Sequence, residues 1–391
     1  MGKFATMESN WIWIEKEYGF FPLWAWFVLC GICFFWLVQL FYFIRYFAPL
    51  GKIKADEKAL KQPGVSVIVC ARNEEDNLMI NVPRLMEQDY PNFELIVVND
   101  SSYDDTADIL KALSINYPKM HVIHIDEDKQ NMQGKKFALT LGIKAAKNDI
   151  VVLTDADCYP RSQDWLSSIV SKYKDGKQIV LGYSPFKKQL GWLNKLARFD
   201  NVWVGMQYLG MAKAGLPYMG VGRNLSYYTD LFFKVGGFKS HYSLTSGDDD
   251  LLINQIATKS NCVVAYDKDS QTISPAKKTM SDWKIQKRRH FTTSPMYRPS
   301  DKRRLALLPF SWFALHAFVL TWLILMPHFW YIAGVLLIRW AILVGVTYRF
   351  SKASDQSKDV AWLAPILEVQ LNFLHVVLYM SNLIRKPQKW S

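Results

Sequence analysis

Asp155 and Asp157 stand two residues apart in Thr154-Asp-Ala-Asp157, directly after the apolar run Ile150-Val-Val-Leu153. In a strand this spacing points both side chains the same way, and in a turn both can reach one centre. Paired carboxylates suit a hard divalent ion such as Mg2+ or Mn2+, which keeps waters and bridges phosphate oxygens. Further along, Asp248, Asp249 and Asp250 are adjacent. Crowded carboxylates raise one another's pKa, which favours a usable general base, although the same run ahead of Leu251-Leu-Ile-Asn-Gln is also a good helix start. Gln286-Lys-Arg-Arg289 supplies cations for a diphosphate. Neither G-x-x-x-x-G-K-[ST] nor a G-x-G-x-x-G between strand and helix occurs, so phosphate-loop ATP hydrolysis and nicotinamide chemistry have no basis.

The elements that must position these groups follow a strand-then-helix rhythm. Val65 to Cys70, Leu95 to Val98, His121 to Ile125 and Ile150 to Leu153 read as strands. Helical patterns run from Asp76 to Gln88, from Asp104 and from Gly134. Such alternation predicts an α/β fold with a mixed, mostly parallel sheet and flanking helices. Ligands of open sheets bind beyond the carboxyl ends of the strands. There the chain carries Ala71-Arg-Asn-Glu74, Asn99-Asp100-Ser-Ser102 and Thr154 to Asp157.

Outside this block the chain is apolar. Leu23 to Ile44 has no charge, and Gln39 is its one strongly polar side chain, enough to cross ~30 Å of hydrocarbon within a spanning segment over 23–47. It follows an N-terminal tail, 1–22, and precedes a catalytic block over 62–304. Segments 305–326 and 329–348 read as a spanning hairpin. A last stretch, 360–384, is interrupted by Pro365, Glu368, Gln370, Asn372, His375 and Asn382, and fits a transmembrane or an interfacial helix. Arg339 and Glu368 sit near the middle of their segments, either paired with each other or turned to water. Gly191 to Met211 is amphipathic and fits either a headgroup-layer helix or a packed core helix. Five cysteines are too few and too scattered for a disulfide framework.

The formal net charge is +12, a balance that raises nucleic acid, an anionic membrane or a phosphorylated substrate as partners. Residues 62–276 hold 23 Lys+Arg against 25 Asp+Glu, whereas 45–61 hold 5 against 2 and 277–304 hold 10 against 2. The excess lies beside the apolar segments, an orientation and headgroup signal that leaves no role for nucleic acid. Positive flanks after Arg45 place the block that follows on the cytoplasmic side.

Val65-Ser-Val-Ile-Val-Cys-Ala-Arg-Asn-Glu-Glu-Asp-Asn-Leu78, Asn99-Asp100, Gly134-Lys135, Thr154 to Asp157, Gly247-Asp-Asp-Asp250 and Gln286 to Arg289 together resemble the ordered motifs of family 2 glycosyltransferases over about residues 65–294. The resemblance implies a GT-A fold, a nucleotide-sugar donor and a divalent metal, Mg2+ or Mn2+. Ala71, Arg72, Asn73 and Glu74 would line the nucleotide, Asp100 would read a uracil base, and Lys135 would approach the nucleotide. Asp155, with Ala156 between the two acids, would face ribose and diphosphate and share the metal with Asp157. Asp249 would be the base beside Asp248. Gln286 and Arg289 would hold the leaving diphosphate. Gly222, Arg223 and Asn224 would contribute to the acceptor or sugar pocket.

Two positions depart from the family's pattern. His290 stands where processive synthases carry Trp, and Asp248 where Glu is usual. The expectation is therefore an inverting transfer of one or a few sugars to a lipid-linked or envelope glycan acceptor at a bacterial cytoplasmic membrane. A processive synthase and a non-catalytic membrane scaffold are the alternatives.

Overall fold

A computed structural model describes residues 22–53, 62–125 and 134–384; the predicted tail lies outside them apart from residue 22. In chain order the helices are α1 (Leu23–Tyr42), α2 (Glu75–Met86), α3 (Thr106–Asn116), α4 (Lys135–Ala145), α5 (Trp165–Val170), α6 (Trp192–Lys213), α7 (Thr229–Lys234) and α8 (Asp250–Ile256). Then follow α9 (Met280–Phe291), α10 (Pro299–Leu325), α11 (Gly334–Ala353), α12 (Asp359–Trp362) and α13 (Ala364–Ile384). The strands are β1 (Val65–Ala71), β2 (Phe93–Asp100), β3 (Met120–Ile125), β4 (Ile150–Asp155), β5 (Tyr159–Pro160), β6 (Ile179–Gly182), β7 (Leu225–Tyr228), β8 (Cys262–Ala265) and β9 (Thr272–Ile273). Among the described residues two compact units result: one within 44–302 and 343–384, the other within 22–43 and 303–342.

In the larger unit seven strands form one sheet in the order β3-β2-β1-β4-β7-β6-β8. β1 to β4 pair in parallel, β7 runs antiparallel to both its neighbours, and β6 pairs with β8 in parallel. The expected mixed, mostly parallel sheet is thus found. β1, β2 and β4 are buried at nearly every position because both faces are covered. Leu78, Val82 and Leu85 of α2 and Leu110 of α3 join Val65, Val67 and Val69 in one core. On the other face α4 comes so close that a Cβ on Gly142 would stand 2.6 Å from Ile68. β5 and β9 form a separate two-stranded ribbon.

Register decides where the site falls. Val65 is level with Phe93 on one side and Ile150 on the other, so Ala71 ends beside Asn99, and Cys70 beside Asp155. Three polar strand ends therefore share one edge.

α6 settles an open reading. Phe199, Trp203, Tyr208 and ten or so neighbours are buried, and Trp192 at its start is the exposed aromatic. It is a core helix; amphipathic periodicity alone does not tell a protein face from a lipid face.

The smaller unit is helical. Ala25, Val28 and Ile32 of α1 pack on Leu315, Val319 and Trp322, and a Cβ on Gly31 would stand 2.6 Å from the Phe318 ring. Arg339 is buried, not turned to water: its Nε donates to Gln39, and its guanidinium lies 5.5 Å from the Phe43 ring centre. Among the described residues three helices are long and apolar enough to cross a membrane: Leu23–Gly51, Pro299–Leu325 and Trp330–Ala353. The second begins six residues before the expected 305, because Asp301 to Arg304 form its charged first turn. α13 is not among the three.

Candidate functional site

At the ends of β1 and β2 the two loops are laced together. Asn73 and Ser101 adopt left-handed backbone (φ 55° and 52°), a conformation Asn tolerates better than most side chains. The Asn73 amide donates to Ser102 Oγ (2.9 Å), and the Tyr103 amide donates to Asn73 Oδ1 (3.0 Å). Asn73 thus braces the loop. Ala71 and Ala156 are members of the core, so they offer a ligand only backbone. Asp100 is fully buried, and neither carboxylate oxygen has a hydrogen-bond partner. Burial pushes its pKa up, tempered by the Arg72 guanidinium and the Gly134 amide. A buried acceptor without a strong donor is costly, which is why burial raises this carboxyl's pKa.

At the end of β4, Asp157 is pushed up first by burial and then by Asp155. Glu74 belongs to the same field: burial raises its pKa, and Asp157 and Asp155 raise it further. One ligand atom each from Asp155, Asp157 and Cys158 lies within 4.8 Å of the others, a donor set that fits a divalent ion. The Cys158 thiol donates to Asp157 Oδ1 (3.2 Å). The sequence reading passed over this thiol, although its place directly after Asp157 was the available signal.

Lys135, at the first turn of α4, joins the two acidic groups. Its Nζ lies 2.7 Å from Asp155 Oδ1 and 3.1 Å from Asp248 Oδ2. Burial alone would lower the amine's pKa, but the two carboxylates hold it well above its usual value. Its neighbour Lys136 is buried and donates to the backbone carbonyls of His241 (2.6 Å) and Leu244 (2.9 Å). Burial brings it down to about 8. It holds the loop that leads into the acidic run.

The three adjacent carboxylates have three environments. Burial pushes Asp248 up, but Lys135 overrides it and keeps the group below the usual range. Asp249 receives the amides of Gly222 and Asp250, each 2.7 Å away. Burial, then Asp248 and Asp250, push it up to about 7. Asp250 accepts from the hydroxyls of Thr293 and Tyr297. Mutual elevation thus holds for Asp249 and fails for Asp248, where a cation decides.

The residues read as an acceptor pocket divide. Gly222 holds Asp249 through its amide. Asn224 is fully buried, accepts from Trp165 Nε1 and donates to the carbonyls of Tyr183 and Ser270. Its side chain is thus engaged within the fold, by a partner 59 residues away in sequence that the sequence did not reveal. Arg223 lies 4.5 Å over the Phe186 ring, with one guanidinium nitrogen unpartnered, and its charge favours ionisation of Asp157.

On α9 the basic run also divides. Lys287 pairs with buried Asp200, which burial would raise but which Lys287 and His375 hold at about 2. Arg288 donates to Asn382 Oδ1 (2.9 Å). Both cations are tied into the scaffold. Gln286 and Arg289 are half-buried, and Arg289 Nε has no hydrogen-bond partner. Thr293, four residues on, fastens the end of α9 to the acidic run through Asp250. His290 is exposed.

Residues 66–239 match the sequence model of a family described as glycosyl transferase family 2. The glycosyltransferase AglE of Haloferax volcanii is 30% identical over 192 residues, covering 48% of this chain and 59% of AglE. A poly-β-1,6-N-acetyl-D-glucosamine synthase of Staphylococcus aureus is 32% identical over 128 residues, 32% of this chain and 29% of the synthase. The matches thus span less than two thirds of either relative. In structure the chain is similar to the mannosyltransferase PcManGT from Pyrobaculum calidifontis, solved in complex with GDP-Man and Mn2+. That similarity has a TM-score of 0.59 at 20% identity and covers 92% of this chain and 99% of that one. It establishes the GT-A fold.

Proposed function

From the premise that residues 66–239 are a family 2 glycosyltransferase domain, we propose that the chain moves a sugar from a nucleotide-diphosphate donor to an acceptor hydroxyl with inversion, Asp249 acting as base. The observation that carries this reading is Asp249 itself: a half-buried carboxyl near neutrality, fixed by two amides and linked through Asp248 and Lys135 to the Asp155–Asp157 pair. A base works best when its pKa is close to the ambient pH, and a carboxylate aimed by backbone donors needs no reorganisation to accept a proton.

The remaining residues take roles that their surroundings support. Asp157 and Asp155, with Cys158 beside them, would hold a divalent ion, which would supply charge neutralisation for the diphosphate. Asp100 accepts from the base, and a uracil N3–H has the chemistry for its unpartnered oxygens. Arg289 and Gln286 bind the leaving diphosphate, with the positive charge of Arg223 acting on Asp157. As the acceptor oxygen bonds to the anomeric carbon, the bond to the diphosphate breaks, the acceptor's proton passes to Asp249, and the electron pair leaves on phosphate. No covalent enzyme intermediate is required.

The acceptor is a lipid-linked or envelope glycan reached at the cytoplasmic leaflet of a bacterial membrane, and exposed His290 in place of Trp supports limited transfer over polymerisation. The experiment is a donor screen on membranes holding the full chain, with labelled UDP- and GDP-sugars and Mn2+ or Mg2+, followed by separation of labelled lipid from polymer. Label in a lipid fraction that disappears with Asp249→Asn supports the reading. Label in long polymer replaces it with processive synthesis, and no transfer from any donor overturns it.

A further inference from the structure

α13 is built inside out. Ile366, Phe373, Val377, Met380, Leu383 and Ile384 recur at helical spacing, and each is more than half exposed. The polar side chains face inward. Glu368 is buried, His375 Nε2 lies 3.5 Å from Asp200, and Asn382 Nδ2 donates to the Arg288 carbonyl (2.7 Å) while its Oδ1 receives Arg288 Nε. A helix on a water-facing surface shows the reverse pattern. We infer that the outer face of α13 lies in the boundary between headgroups and acyl chains of a lipid leaflet, with the helix parallel to the surface.

Three observations select lipid as the occupant. First, the helix cannot be surrounded by hydrocarbon, because its inner face is bonded to α6 and α9: Gln370 receives Trp192 Nε1 (2.8 Å), and Asn382 grips Arg288 from both sides. One face is left for lipid, which is the geometry of a surface helix. Second, the chain keeps it near a bilayer. The apolar helix Trp330–Ala353 ends eleven residues before Ala364, so the start of α13 is within roughly 40 Å of that helix end even if the link is fully extended. Third, the charge complements anionic headgroups. α9, bonded along α13, carries exposed Lys284 beside half-exposed Ile285, and Lys358, also exposed, stands just before α12. Each basic residue near an anionic surface adds about 1 kcal/mol.

This surface is independent of the donor and of the reaction. Its test uses the full chain in nanodiscs of phosphatidylcholine and phosphatidylglycerol, with the native cysteines replaced and a nitroxide on Val377→Cys or Phe373→Cys. Both positions are exposed, and a retained thermal transition verifies folding of each labelled protein. Collisional relaxation by oxygen should exceed that by a water-soluble nickel chelate several-fold at 373 and 377, and the order should reverse at Lys111→Cys on the exposed side of α3. Nickel access at 373 and 377 equal to that at 111 overturns the inference. Dipolar broadening that vanishes on dilution with unlabelled protein also overturns it, because the covering partner is then a second copy of the chain.

Discussion

The acidic strand end Asp155–Asp157 and the acidic helix start Asp248–Asp250 have the same side-chain chemistry and share one lysine, yet they hold charge differently. At the strand end Lys135 reaches Asp155 alone, and burial with Asp155 pushes Asp157 up; paired carboxylates of this kind suit a divalent cation from outside. At the helix start the protein supplies its own partners: a cation for Asp248, amides for Asp249 and hydroxyls for Asp250. Carboxylates crowded in one sequence window are therefore sorted by the donor each one meets: Lys135 holds Asp248 low, while Asp249, met by amides, is pushed up to about 7.

The sharpest way to break this contrast is Asp249→Asn, expected to lower transfer about 10³-fold while donor binding, followed by calorimetry, survives. Turnover within a few fold of the parent would move the base elsewhere. Next comes the external cation: chelation should abolish transfer and Mn2+ restore it, whereas Asp157→Ala should stay inactive at any Mn2+ concentration. Lys135→Met removes the cation that both clusters share. It leaves buried like charges and should cost about 3 kcal/mol in denaturant unfolding, near the lower end for a broken buried pair.

A pH profile sharpens the same point. Because Asp249 titrates at about 7, transfer should rise tenfold per pH unit below that value and level off above it, with no second rise from Asp248, which is held low by Lys135. The sign is opposite for folding. A carboxyl raised in the folded state loses stability as pH rises through its folded pKa, so Asp249→Asn should unfold at a higher temperature than the parent at pH 8 though not at pH 5. The smallest effect expected is for Asp250→Asn, about 1 kcal/mol of stability with near-normal transfer, since its partners are the Thr293 and Tyr297 hydroxyls.

Much of the site was legible because its signals are local. Asp155 and Asp157 need only a strand and a spacing of two, and Asp249 needs only its neighbours in the run. What was not legible depends on distant partners. Arg288 and Lys287 look like phosphate ligands until Asn382, 94 residues on, and Asp200 take them. Asn224 reads as a pocket residue until Trp165 and the Tyr183 and Ser270 carbonyls consume its bonding. β1 to β4 were readable from β-branched runs, but what covers α6 and α13 was not, since periodicity marks an apolar face without naming what covers it.

The bond between Arg339 and Gln39 joins residues 300 positions apart, and it sets an order of assembly. Translation passes from the first to the second in roughly 15–60 s at 5–20 residues per second. For that interval the amide of Gln39 waits in an apolar helix for a partner not yet made, while the entire seven-stranded sheet emerges. The helical unit therefore cannot close until its last helix is made, although it also holds the first of the described helices.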